Sequence, residues 1–343
     1  MRLAVMKIVF FEAPEEDQKI LAGMLSGFDV TFFKEKLSMQ NIELARGAEV
    51  ISVFINSQVN QDIIDALPGL KLITTASAGT DHIDISYARS KDIAAAAVPA
   101  YGSHTVAEFA FALILALSRK IFPAYHYLRE DNNFDLANLM GFDLCGKTLG
   151  IIGTGRIGKN SAKIAKGFEM NIVAYDLHPD EKFAAETGVE YVDLPTLLAR
   201  SDVVTIHTPY TKETHHLINR ENIAGIKRGA LLINTARGEI VEAGALLWAL
   251  NEGLIAGAGL DVFEGERYMK DEITSLTDSR EEVFETKEGF RTLLENNSLI
   301  HDRRVIATPH MAFFSREAKS NILETTAGNI KNFIAGTPSN VVS

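Results

Sequence analysis

The 343-residue sequence predicts an α/β fold of two doubly wound parallel-sheet domains with a cleft between them. Three observations carry that prediction. Short apolar runs of strand type alternate with segments of helical spacing over residues 6–98. The alternation resumes at Lys147, after an apolar helix and an aromatic stretch that fit neither pattern. The second series opens on a strand, a glycine turn, a helix, a second strand and an acid, in that order.

In the first series, residues 6–11 (MKIVFF), 29–33, 50–54, 70–74 and 93–98 have strand character, and residues 14–25, 62–67 and 83–89 helical spacing. Pro99 to Gly102 ends it. Residues 104–119 then form a long helix, apolar on nearly all sides, of the kind buried between domains or subunits. Residues 120–146 are mixed and aromatic, with Phe122, Tyr125, Tyr127, Phe134 and Phe142, and read as an arm that packs on a partner subunit. The second series places strands at 148–152, 172–175, 203–206, 230–233, 255–260 and 305–307, and helices at 194–200, 221–226 and 242–251. Residues 264–302 are polar and charged with helical pieces such as 289–295. A closing helix over 311–335 stops at Gly336-Thr337-Pro338.

The segment KTLGIIGTGRIGKNSAKIAKGFEMNIVAYD (147–176) is the most informative. After the strand comes Gly153-Thr154-Gly155-Arg156-Ile157-Gly158. The first glycine permits the tight turn, the second a close backbone approach to a pyrophosphate, and the third close helix–sheet packing. The helix start, at Arg156 and Ile157, offers unpaired N–H groups and the positive end of its dipole. Asp176, eighteen residues past Gly158, is placed to accept from a ribose diol and to repel a 2′-phosphate, which favours NAD over NADP. A phosphate loop of the nucleotide-triphosphatase type requires Ser or Thr after the lysine to hold magnesium; this chain has Asn160.

Bulk properties exclude several functions. The formal charge is −11 and no basic run interrupts it, so nucleic acid is not an expected partner. A single cysteine, Cys145, forbids an internal disulfide and fits a reducing compartment. The N-terminal apolar run is broken by Lys7 and lacks a small-residue cleavage site, so it reads as a strand and not a leader. The nine apolar residues at 109–117 are too few to span a bilayer. A cytoplasmic protein without membrane contact is expected. His104 and Glu108 share a helix face, but no third ligand accompanies them, and no metal is expected. His215 and His216 are adjacent and read as solvent-facing.

Open parallel sheets bind ligands beyond the C-terminal ends of their strands. Three such places carry charged groups: Asn234-Thr235-Ala236-Arg237-Gly238, Asp261-Val262-Phe263-Glu264-Gly265-Glu266, and Thr308-Pro309-His310. With these, the chain resembles the D-2-hydroxyacid dehydrogenases, and among them the fermentative D-lactate type. The resemblance runs over nearly the whole length, through SAGTDHID (77–84), VPAYGSHTVAEFA (98–110), GKTLGIIGTGRIG (146–158), HTPYTKETHHLIN (207–219), INTARG (233–238), GLDVFEGE (259–266) and TPHMAFFS (308–315).

The resemblance implies a flavodoxin-like substrate domain from residues 1–102 and 310–343, and a Rossmann NAD-binding domain, 103–309, inserted between them, with hinges at the crossings. It implies His310 as acid–base, Glu266 as its partner and Arg237 as the substrate-holding cation. It further implies a carboxylate anchor at the Ala78 and Gly79 N–H groups. Asp261 with Thr235 and Ala236 would hold the nicotinamide carboxamide; Thr208, Pro209 and Thr214 would line the adenosine side. The chemistry agrees. Reducing a 2-keto acid requires a hydride on carbon and a proton on oxygen, and a histidine, with an ordinary pKa near 6.5, exchanges that proton near neutral pH. Arginine stays charged and grips a carboxylate through its fork. Tyr101, Phe313 and Phe314 are either core residues or, for Tyr101 and Phe313, the wall of a small apolar pocket.

The expected reaction is reversible reduction of pyruvate by NADH to D-lactate, by a homodimer formed through the apolar arm. The rivals are a related dehydrogenase for glyoxylate, hydroxypyruvate or a longer 2-keto acid, and a non-catalytic NAD(H)-sensing protein on the same fold. The complete Arg, Glu and His set favours catalysis. A phosphorylated substrate would ask for extra Lys or Arg around 77–84 and 99–104, where there is none.

Overall fold

A computed structural model describes residues 6–266 and 287–342. The part of the polar 264–302 stretch at 267–286 lies outside the described residues. The chain divides into two units, Met1–Gly102 with Ser315–Ser343, and Ser103–Phe314.

The first unit holds five strands, β1 (Lys7–Phe10), β2 (Asp29–Phe32), β3 (Val50–Val53), β4 (Leu72–Thr75) and β5 (Ala94–Ala96). They form one parallel sheet in the order β2-β1-β3-β4-β5. Helices α1 (Glu15–Met24), α2 (Gln61–Asp65) and α3 (Ile85–Ser90) connect them. Alternate strand residues feed cores on opposite faces: Val9 and Ile51 on one, Ile8, Phe10 and Val50 on the other. Burial on both faces is why these strands read as unbroken apolar runs. At the β1/β3 switch point the Glu12 carboxylate accepts from the N–H groups of Phe54, Asn56 and Ser57.

The second unit begins with α4 (Ser103–Ser118) and α5 (Ile121–Arg129). Its seven strands are β6 (Thr148–Ile152), β7 (Asn171–Tyr175), β8 (Glu190–Tyr191), β9 (Val203–Ile206), β10 (Ala230–Asn234), β11 (Ile255–Leu260) and β12 (Val305–Ala307). All pair in parallel, in the order β12-β11-β10-β9-β6-β7-β8, with the switch point between β6 and β9. The intervening helices are α6 (Arg156–Gly167), α7 (Glu181–Thr187), α8 (Leu194–Arg200), α9 (Arg220–Ile223), α10 (Ala243–Asn251) and α11 (Lys287–His301). Helix α4 buries Ala110, Phe111, Leu113, Ile114 and Leu117 in the core shared with Leu149, Ile151, Leu231 and Ile233. Its apolar character is therefore spent largely inside this unit.

The arm differs from a packed element. Helix α5 buries no residue, and Phe134, Leu136 and Met140 beyond it are 80–89% exposed. The closing helix α12 (Arg316–Ile334) starts five residues later than spacing predicts. Residues 308–312 are held in a turn against β11 instead, and Ser315 caps the helix by accepting from Ala318 N–H at 3.1 Å. That turn assigns His310 to the second unit. Helix α7 and strand β8 go beyond the elements read from spacing, although Asp180 caps the helix and Gly188, at φ 72°, ends it. Among the described residues no helix is long and apolar enough to cross a membrane.

Candidate active site

The strand register decides what meets at the sheet's C-terminal edge. Asn234 of β10 pairs with Leu260 of β11, and Leu260 pairs with Ala307 of β12. The three loops that carry Arg237, Glu266 and His310 therefore leave adjacent strands at one level. Gly238 lets the first two close up: a Cβ there would overlap the Phe263 backbone and Glu264 N.

His310 Nδ1 lies 2.5 Å from Glu266 Oε1, both side chains being mostly buried at 18% and 23% exposed. His310 sits in the left-handed region, φ 53°, which is uncommon for a residue with a Cβ and persists only where surroundings over-determine it. Asp261 supplies that determination. Its carbonyl accepts from His310 N–H at 2.9 Å. Its fully buried carboxylate accepts from the Thr308 hydroxyl at 2.6 Å, Met311 N–H at 2.9 Å and Ala312 N–H at 2.7 Å. Burial pushes the Asp261 carboxyl above its ordinary range despite those hydrogen bonds. The expectation gave Asp261 to the nicotinamide carboxamide; its visible task is to build the turn that presents His310. Phe313 stands edge-on to the His310 ring, centroids 6.4 Å apart, while Phe314 is 58% exposed.

Arg237 is half-buried, with Nη1 donating to Ala236 O at 2.8 Å. The turn that presents it is braced by buried Asn234, whose Nδ2 donates to Arg237 O at 2.9 Å and whose Oδ1 accepts from Ala236 N–H at 3.0 Å. Asn234 belongs with the site's supporting residues, and the motif Ile233-Asn234-Thr235-Ala236-Arg237-Gly238 carried the signal.

The glycine turn fits a pyrophosphate. A Cβ on Gly153, at φ 92°, would come within 2.7 Å of Thr208 N, and one on Gly158 would overlap Gly153 O. Gly155, by contrast, faces open space. It is the N-cap of α6 and offers no side-chain cap, so the N–H groups at Arg156 and Ile157 remain for an anion. Asp176 is braced by Thr154, whose N–H and hydroxyl both donate to Oδ2 at 2.6 and 2.8 Å, and by His178 N–H on Oδ1 at 2.9 Å. Tyr191 OH adds a hydrogen bond to the Thr154 hydroxyl at 2.9 Å. Burial pushes the Asp176 carboxyl up, but these hydrogen bonds outweigh it together and hold it below the ordinary carboxylate range.

Across the switch point His207 is buried. Its Nε2 meets the hydroxyls of Ser161 at 2.9 Å and Thr205 at 3.1 Å, and its Nδ1 has no partner among the described residues. Burial pushes its pKa down to about 3. Thr208 is half-buried and Pro209 exposed, beside the glycine turn. Thr214 is buried and staples its own loop, accepting from Thr211 N–H at 2.7 Å and donating to Pro209 O at 2.8 Å. His216 does not face solvent as expected: its Nε2 lies 2.7 Å from Glu264 Oε1. No spacing rule connects residues 48 positions apart. Among the described residues no cluster of His, Cys, Asp and Glu is suited to a metal.

In the first unit, Ala78 is exposed and Gly79 half-buried in the loop after β4. Ser77 shapes that loop by donating to Gly79 O at 2.7 Å. Tyr101 is half-buried, its carbonyl accepting from Asn321 Nδ2 at 3.3 Å.

Comparison with known proteins agrees with this architecture. Residues 111–312 match the model of the D-isomer specific 2-hydroxyacid dehydrogenase NAD-binding domain. The chain is 36% identical to a D-lactate dehydrogenase of Escherichia coli over 96% of its length and 98% of that protein's. It is 34% identical to a glyoxylate reductase of Korarchaeum cryptofilum, covering 98% and 96% of the two chains. The structure of a D-lactate dehydrogenase from Aquifex aeolicus, complexed with NAD and lactic acid, superposes with a TM-score of 0.87 at 35% identity, covering 96% of each chain. The chain is a member of the D-isomer specific 2-hydroxyacid dehydrogenase family, and residues 111–312 are its NAD-binding domain.

Proposed function

We propose that this protein is a D-lactate dehydrogenase, reducing pyruvate reversibly to D-lactate. The observation that carries the reading is the common register of β10, β11 and β12, which delivers Arg237, Glu266 and His310 to one edge with His310 on Glu266. NADH, when bound, supplies the hydride for the keto carbon.

The chain's residues do the rest. With Nδ1 committed to Glu266, His310 has Nε2 for the substrate oxygen, and gives it a proton during reduction. In the reverse direction the same nitrogen takes the hydroxyl proton. Arg237 pairs with the substrate carboxylate and polarises the carbonyl. The Ala78 and Gly79 N–H groups, which meet no acceptor among the described residues, serve as a second carboxylate anchor. Gly153, Gly155, Arg156, Ile157 and Gly158 would hold the pyrophosphate, Asp176 the ribose diol, and Thr208, Pro209 and Thr214 the adenosine side. Thr235, Ala236 and Asp261 would hold the nicotinamide carboxamide. Phe313, edge-on to the His310 ring, supplies apolar surface for a methyl group, and Tyr101 of the first unit is a second candidate for that role.

The exposed apolar residues of the arm, Phe122, Tyr125, Phe134, Leu136 and Met140 among them, support a homodimer with a second copy covering them. The experiment is NADH oxidation over pyruvate, 2-ketobutyrate, phenylpyruvate, glyoxylate and hydroxypyruvate. Pyruvate should give the highest kcat/KM. A higher value for glyoxylate would move the protein to another branch of its family.

A further inference from the structure

A second histidine–carboxylate pair brackets the loop that ends in Glu266. His216 Nε2 lies 2.7 Å from Glu264 Oε1, with the two side chains 30% and 17% exposed. Glu264 Oε2 also accepts from Ala243 N–H at 3.3 Å, where α10 starts without a side-chain cap of its own. A carboxylate is favoured at that helix N-terminus. The Glu264 carbonyl accepts from Asn296 Nδ2 at 2.7 Å, and Asn296 is buried within α11. Gly265 N–H donates to Glu239 Oε1 at 3.3 Å.

The histidine is itself fixed. It sits at φ 48°, in the left-handed region. Its N–H donates to Glu239 O at 2.9 Å, and its carbonyl accepts from Asn219 Nδ2 at 3.1 Å. Glu266, in turn, is tied to its own loop: its N–H donates to Phe263 O at 3.1 Å, and Oε2 accepts from Phe263 N–H at 3.4 Å. Where the loop goes, the Glu266 carboxylate goes.

We propose that His216, Glu264 and Asn296 are positioning residues that hold the 263–266 loop so that Glu266 meets His310. The proposal deepens the reading above and rests on Glu266 and His310 being its acid–base pair. A short hydrogen bond between two side chains is lost on a shift of about an ångström, and a misplacement of that size costs catalysis heavily. The clamp joins that loop to the start of α9, the start of α10 and the middle of α11, so no single element sets it.

The test is a double-mutant cycle of His216→Ala with Glu266→Gln, reading kcat, KM for pyruvate, the pH profile of kcat/KM and NADH binding. Alone, His216→Ala should lower kcat by about tenfold or more with NADH affinity kept. Its pH profile should shift in the same direction as that of Glu266→Gln. In the Glu266→Gln background it should cost less than about twofold further. His216→Gln, which keeps a donor for Glu264, should recover most of the loss. Wild-type turnover in His216→Ala overturns the clamp while leaving the acid–base pair standing. So does an equal loss in both backgrounds. Wild-type turnover in Glu266→Gln overturns both. Should His216→Ala not fold, Glu264→Ala, which removes the carboxylate's contacts with both His216 and Ala243, replaces it in the cycle under the same criteria.

Discussion

His310 Nδ1 and Glu266 Oε1 are 2.5 Å apart although 44 positions separate the residues in sequence. Their meeting follows from the pairing of Leu260 with Ala307, which brings the ends of two neighbouring strands to the same height. The turn after the second strand is then wound around the buried Asp261 carboxylate. Sheet register, not local spacing, makes the pair.

Arg237→Lys should retain the charge and lose the fork. A charge-assisted pair contributes about 1.5–3 kcal/mol, so kcat/KM for pyruvate should fall roughly tenfold to a hundredfold. NADH binding, measured by fluorescence titration, should be unaffected. Wild-type kinetics would refute the role of the planar guanidinium.

Asp176→Ala should relax discrimination against NADPH by on the order of tenfold or more, since an ionised carboxylate opposes a 2′-phosphate. Because its hydrogen bonds hold the Asp176 carboxyl below the ordinary range, it stays ionised in neutral and mildly acidic solution. The ratio of kcat/KM for the two cofactors checks this; an unchanged ratio assigns the discrimination elsewhere.

Asp261→Asn replaces an acceptor of three hydrogen bonds by a group with only one acceptor oxygen. Its amide N–H groups must then face at least one of the Thr308, Met311 or Ala312 donors. The turn under His310 should loosen, and kcat should fall by about a hundredfold if the ring moves by an ångström. Steady-state kinetics with pyruvate give the answer, and a kcat within twofold of wild type would show, to within about the error of such comparisons, that the turn stands without the carboxylate.

His207 contributes to acid lability with a definite sign. Its folded pKa is depressed from 6.5 to about 3 by burial. Its stability contribution is therefore fully present above pH 6.5 and is lost as pH falls toward about 3, because the unfolded chain takes up the proton first. The slope from this one group is about 1.4 kcal/mol per pH unit across that window. Urea denaturation of the wild type and His207→Gln at several pH values should show a shallower acid loss in the variant. Parallel curves would contradict the assignment.

Much of this was legible from the residues. Strands such as Leu149 to Ile152 and Val203 to Ile206 are buried on both faces, which writes an unbroken apolar run that no surface strand has. Gly158 is required by the Gly153 carbonyl within one short turn, and Gly153 by its own positive φ of 92°, so their spacing is visible. Partners set by the tertiary fold were not visible. Thr154 on Asp176, His216 on Glu264 and Asn296 on Glu264 join residues 22, 48 and 32 positions apart, through strand order and helix packing. The late start of α12 was hidden for the same reason, since the turn at 308–312 depends on Asp261, just past the end of β11.

The most direct measurement is the single-turnover rate of NADH oxidation by pyruvate in the wild type and in His310→Gln, each first saturated with NADH. The product should be D-lactate, and the rate in the variant should be lower by roughly 10²–10⁴, the usual contribution of a positioned acid, with NADH affinity kept. Equal rates in the two proteins would contradict it.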